Sequence, residues 1–138
     1  MLNLKQILLS LSAALVLSTT LAQAETPQDF LTTYQTAAKA VDANFQGFSA
    51  TRGEQFFKAT HGNDWSCASC HTSNPASAGK HASTGKAIDP LAPSANPERF
   101  TSTRKVEKWF KRNCNDVLSR ECSPLEKGDI LTFLMAIK

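Results

Sequence analysis

A chain of 138 residues with 41% apolar, 20% charged and 8% aromatic side chains has the make-up of an ordinary globular protein with room for one domain, which excludes a large multidomain enzyme. Its formal charge of +3, from 15 basic and 12 acidic side chains, lacks the cationic excess of a protein that neutralises many phosphates, so no nucleic acid partner is expected. Four cysteines stand out, and in a chain of this size they mean a disulfide framework, a zinc site or a covalent cofactor.

Residues 1–24 read as a cleavable signal peptide. Lys5 gives a positive start, Ile7 to Leu17 is apolar apart from Ser10 and Ser12, and Ala22-Gln23-Ala24 has the small-x-small form of a cleavage site. The apolar stretch is shorter than the roughly 20 residues that span a bilayer, so a membrane anchor is the poorer reading and no membrane association is expected after cleavage. The expected location is the periplasm, an oxidising setting in which disulfides persist. Residues 25–138 are left as the folded domain, small enough for an apolar cofactor to fill much of its core.

Thr26-Pro27-Gln28-Asp29 is a helix start, with a capping hydroxyl, proline at the first helical position and an acid in the first turn. Phe30, Leu31, Tyr34, Ala37, Ala38, Val41 and Phe45 follow at helical spacing and predict an amphipathic helix that runs to near Gly47. A second helix is expected from near Ser49, with Phe56 and Phe57 inward. From about Thr60 to Phe100, Gly62, Gly79, Gly85, Pro75, Pro90, Pro93 and Pro97 interrupt any period. No strand is predicted there, and so long a loop in so small a domain should wrap something. A third helix begins near Thr101–Thr103, and a last one near Pro124 carries Leu125, Ile130, Leu131, Phe133, Leu134 and Ile137.

The cysteines separate into two pairs. Cys67-Ala68-Ser69-Cys70-His71 is C-x-x-C-H, the attachment signature of one covalent haem c: two thiols one helical turn apart reach the two vinyl groups, and the next residue brings an imidazole to the iron. A thioredoxin-like redox pair needs a βαβ setting that is not apparent, and zinc needs a second close pair that is missing. Cys114 and Cys122 could be redox-active or hold metal. In an oxidising compartment the favoured reading is a disulfide closing a short loop, worth roughly 2–3 kcal/mol.

The sixth position on the iron is less explicit. Met135 lies among apolar residues of the last helix and reads as core filler, so His/Met ligation is not expected. His61 and His81 flank the motif and read first as exposed loop histidines, with bis-His ligation left open. Val106, Trp109, Phe110, Asn113 and Val117 share one helical face, which turns Asn113 the way the apolar residues point and Asn115 elsewhere. Such an amide either bonds a backbone group or haem propionate, or gives its oxygen to the iron. A carbonyl in Ile88-Asp89-Pro90 is a candidate acceptor for the His71 N–H.

Asn96-Pro97-Glu98-Arg99-Phe100, Arg112-Asn113-Cys114-Asn115, Arg120-Glu121-Cys122-Ser123 and Glu126-Lys127-Gly128-Asp129-Ile130-Leu131, following a CxxCH motif, resemble the sphaeroides haem protein family over roughly Ser49 to Lys138. The resemblance implies an all-α, class I cytochrome c-like helical domain with long haem-wrapping loops and, in this chain, an extra N-terminal helix. It implies His71 as proximal ligand, Asn113 as the axial ligand opposite, and a Cys114–Cys122 disulfide. It further implies that asparagine leaves the iron on reduction, that oxygen or nitric oxide binds on the vacated face, and that a dihaem cytochrome c donates electrons. Oxygen reduction or nitric oxide oxidation stays open as an activity, with simple six-coordinate electron transfer as the alternative; no hydrolytic or transferase site is apparent. Arg99, Arg104, Lys105, Lys108, Lys111 and Arg112, against Glu98 and Glu107, form a basic run suited either to solvation or to docking an acidic redox partner.

Overall fold

Helix α1 (Pro27–Val41) begins where the cap residues place it: the Asp29 N–H bonds the Thr26 hydroxyl, and the Thr26 N–H bonds the Asp29 carboxylate at 2.8 Å. The computed structural model describes residues 23–138, so the predicted signal peptide lies, but for its last two residues, outside the described residues. The helix stops short of Gly47. Asp42 ends it by bonding its N–H to the Ala38 carbonyl at 2.9 Å while its carboxylate accepts from the Asn44 N–H at 2.8 Å, a local turn that outcompetes another helical turn. Val41 is therefore 78% exposed, and Phe45 leaves the helical face to pack on Phe48, ring centroids 5.0 Å apart.

Helix α2 (Ala50–Lys58), capped by Ser49, packs on α5 (Pro124–Ala136), and α5 packs in turn on α1. A capping box between Ser123 and Glu126 and a proline at the first position open α5. The centre of this packing is Phe57, Leu131 and Leu134, each almost fully buried, and each contributes about 1.5–3 kcal/mol by leaving water. Gly53 lets α2 and α5 touch: a Cβ there would lie 2.0 Å from the Asp129 carbonyl oxygen. Asp129, 5% exposed, locks the same crossing by accepting from the Ser49 N–H at 2.7 Å and from Arg52 Nε and Nη2 at 2.7 and 2.8 Å. Met135 is not core filler. The inward arc of α5 is taken by Ile130, Leu131, Phe133 and Leu134, which leaves Met135 and Leu125 on the outside.

Helix α4 (Thr103–Leu118) is fastened at separate points. Its Glu107 accepts from the Tyr34 hydroxyl at 2.7 Å and from Lys127 Nζ at 2.6 Å, which joins it to α1 and α5. The Asn63 side-chain amide donates to the Val117 carbonyl at 2.6 Å, and the Glu25 carboxylate accepts from the N–H and hydroxyl of Thr103. A disulfide between Cys114 and Cys122, with Cα atoms 5.6 Å apart, ties its last turns to the start of α5. Between α2 and α4 runs the long loop, which contains a one-turn helix α3 (Cys67–His71) and, against expectation, an antiparallel hairpin of β1 (Gly79–Lys80) and β2 (Ala87–Ile88). Strands of two residues carry no alternation to read. The class is all-α, and among the described residues no helix is long and apolar enough to cross a membrane.

Candidate functional site

Ser66 starts α3 with its hydroxyl accepting from the Ser69 N–H at 3.2 Å, and Thr72, at φ 62°, ends it directly after His71. One helical turn thereby presents Cys67, Cys70 and His71 to a single cavity of about 640 Å³, within the usual range for a cofactor pocket. Phe57 and Leu134 from the core, Ile88 and Leu91 from the loop, and Val106, Phe110 and Val117 from α4 supply apolar walls. The hairpin lies against the attachment turn: the Ala82 N–H donates to Cys70 Sγ at 3.3 Å, and a Cβ on Gly79 would meet the Cys70 carbonyl oxygen at 2.1 Å.

Neither motif cysteine is engaged in a disulfide. Burial pushes Cys67 up to about 11, the reverse of the lowered value that a redox dithiol needs, so a thioredoxin-like role has no support here. Burial first, and then the Arg99 charge, hold His71 down at about 4. Its imidazole is neutral at ordinary pH and keeps a lone pair for a metal. Two unpaired thiols one turn apart, a neutral imidazole beside them and an apolar cavity of this size fit a covalently held haem.

Asn113 lines the same cavity from α4, next to the disulfide. The α4 side chains that hydrogen-bond elsewhere are Thr103 and Glu107, whereas the half-buried Asn113 amide is engaged by no backbone group. Asn115 is exposed, as its helical phase requires. His81 also reaches the cavity rim, on the hairpin, with its Nδ1 3.3 Å from the donating Thr84 N–H. His61 lies outside this cavity, its ring on Phe56 and its Nε2 2.8 Å from the Phe56 carbonyl oxygen.

In the Ile88-Asp89-Pro90 segment the Asp89 and Pro90 carbonyls accept from Arg99, at 2.8 Å from Nη2 and 2.9 Å from Nε, and Asn96 adds a bond to Pro90 at 3.3 Å. Arg99 is thus half-buried with its guanidinium on two backbone carbonyls, unlike the exposed rest of the basic run. Arg104, Lys105, Lys108, Lys111 and Arg112 remain exposed along α4, with Lys111 3.4 Å from Glu121 and the Arg112 guanidinium 5.1 Å from the Trp109 ring centre. The cavity also takes in Trp65, Phe100 and the hairpin residues Lys86 and Ala87, which the sequence reading passed over. An aromatic residue two places before the motif was the available signal for Trp65.

A family model described as a domain of unknown function (DUF1924) matches residues 43–134. The chain is 42% identical over 128 residues to the cytochrome c-type protein SHP of Cereibacter sphaeroides, covering 90% of this chain and 94% of that protein. It is 43% identical over 106 residues to cytochrome c'' of Methylophilus methylotrophus, covering 74% of each. The structure of oxidised SHP, an oxygen binding cytochrome c, aligns with a TM-score of 0.73 and 41% identity over 82% of this chain and 98% of that one. The solution structure of cytochrome c'', a protein studied for haem-ligand detachment, aligns with a TM-score of 0.69 and 40% identity over 80% of this chain and 92% of that one. A chain that follows these haem proteins both in sequence and in backbone course belongs with them, in the sphaeroides haem protein family of all-α c-type cytochromes that carry covalent haem c.

Proposed function

We propose that the protein is an exported, periplasmic cytochrome that binds a diatomic gas when reduced, in which Cys67 and Cys70 would tether the haem, His71 would hold its iron firmly and Asn113 would hold it labilely. The observation that carries this reading is Asn113 itself, a half-buried amide that lines the cavity of the attachment motif and is committed to no backbone partner. The haem supplies an iron that alternates between ferric and ferrous states and accepts a small gas as a ligand. An amide oxygen is a hard, neutral donor that favours the ferric state, so with haem bound reduction would weaken the hold of Asn113. Its side chain can then swing aside while the Cys114–Cys122 disulfide keeps the backbone beside it in place. Oxygen binding by SHP and ligand detachment in cytochrome c'' support the same reading.

The test is spectroscopic. Adding carbon monoxide to the reduced protein is expected to shift its absorption within the mixing time, and a reduced spectrum indifferent to carbon monoxide would exclude a labile ligand. A second reading, simple electron transfer through bis-imidazole ligation, draws on the presence of His81 at the cavity rim. It predicts that His81→Ala, rather than a change at Asn113, alters the oxidised spectrum.

For electron delivery we propose docking of an acidic redox protein, such as a dihaem cytochrome c, on Arg104, Lys105, Lys108, Lys111 and Arg112. These side chains lie on the helix that carries Asn113, and Lys105 and Arg112 stand at the cavity itself. Steered association between opposite charges falls as salt shortens the screening length, from about 10 Å at 0.1 M to about 3 Å at 1 M. The reduction rate is expected to fall at least tenfold over that range, as read by stopped flow, and a rate independent of salt would remove the docking proposal.

A further inference from the structure

Arg99 departs from the basic run around it. Among the charged side chains that line the cavity, Lys86, Glu98, Lys105, Arg112 and Asp116 are exposed, whereas Arg99 is half-buried with its guanidinium fixed on two backbone carbonyls. Those carbonyls, of Asp89 and Pro90, lie between Ile88 and Leu91, two residues of the cavity wall. Directly after Arg99 the backbone turns through a left-handed conformation at Phe100, φ 57°. That is a costly position for a bulky residue, kept only where its surroundings over-determine it. Here the Phe100 ring is buried against Phe30, centroids 6.4 Å apart, while the Arg99 fork secures the other side of the turn.

We infer that Arg99 is a positioning residue for the haem: it fixes the wall between Ile88 and Leu91 and holds one immobile cation at the wall of the cavity that His71 also lines, which raises the reduction potential. The inference rests on His71 being a ligand, as proposed above. A ferric haem carries one more positive charge than a ferrous one, so a nearby cation disfavours the oxidised form. Exposed lysines act through water and are largely screened, but a guanidinium held at the cavity wall is screened less.

Spectroelectrochemical titration of the intact haem protein tests this. Arg99→Gln is expected to move the ferric-to-ferrous ratio at fixed potential at least threefold toward ferric, a drop of about 28 mV at about 59 mV per tenfold for one electron. Arg99→Lys, which keeps the charge, should stay within about twofold of the parent. Arg104→Gln removes the same charge from the exposed start of α4 and should also stay within about twofold. An unchanged or raised potential in Arg99→Gln overturns the inference, as does an equal drop in Arg104→Gln. Should Arg99→Gln fail to accumulate, a threefold drop in Arg99→Lys overturns the charge argument by itself. Carbon monoxide binding reads the labile-ligand proposal separately, so a variant series with no potential shift but rapid gas binding discards only the role of Arg99.

Discussion

Gly53→Ala is expected to prevent accumulation of the haem-loaded protein, or to leave it destabilised by about 3 kcal/mol or more. Overpacking of a tight contact costs about 1–3 kcal/mol when side chains can yield, and more when they cannot. Here the first atom a methyl group meets is backbone, the Asp129 carbonyl oxygen at 2.0 Å, and Phe133 Cβ follows at 2.9 Å. Relief requires α2 and α5 to separate, which would pull apart the Arg52–Asp129 pair and expose Phe57. Gly128→Ala makes the informative comparison. The nearest atoms a methyl group there meets belong to the Phe48 ring, the first 2.1 Å away, and a side chain can rotate. Chemical denaturation followed by far-UV circular dichroism should rank the two variants with Gly53→Ala the worse by at least 1 kcal/mol; the opposite order would mean that the helix crossing is not the tight point of the fold.

Asn113→Ala is expected to leave stability nearly unchanged and to change the oxidised haem spectrum outright. Among the described residues no side-chain hydrogen bond of Asn113 is lost, because the α4 side chains so engaged are Thr103 and Glu107. What is lost is an internal competitor for the iron. If that competitor holds the ferric state by roughly 1.4 kcal/mol, external ligands such as azide or cyanide should bind the oxidised variant about tenfold more tightly than the parent, and more if the hold is stronger. Titration of both proteins with azide gives the ratio directly. A ratio of one, together with an unaltered oxidised spectrum, would remove Asn113 from the iron.

Local chemistry made much of the fold legible. The helix starts near Thr26, Ser49 and Pro124 are legible because a side-chain oxygen satisfying an orphan amide is a contact within three residues, and Thr26, Ser49 and Ser123 cap the observed starts. The attachment motif is legible for the same reason, and helical phase brings Asn113 to the cavity where Cys67, Cys70 and His71 meet. What stayed hidden depends on long-range partners or on short competing turns. The apolar spacing continues past Val41, but the Asp42 turn needs only its neighbours to stop the helix. Asp129 is a charge within an apolar helix until Arg52, far away in sequence, is placed beside it. Arg99 reads as one more surface cation because nothing in its immediate sequence announces two carbonyls waiting for it.

The scattered fastening of α4 has a consequence for speed. A helix held by Glu25 at its start, by Tyr34 and Lys127 at its middle, and by Asn63 and a disulfide at its end cannot slide or tilt without breaking several of these ties at once. Asn113 is left with its own side-chain torsions as its freedom of movement. Such rotations belong to the fast end of protein motion, whereas collective helix and domain displacements take microseconds to milliseconds. With Asn113 as the labile ligand proposed above, opening and closing of the site would have the timescale of a rotamer exchange on a rigid mount.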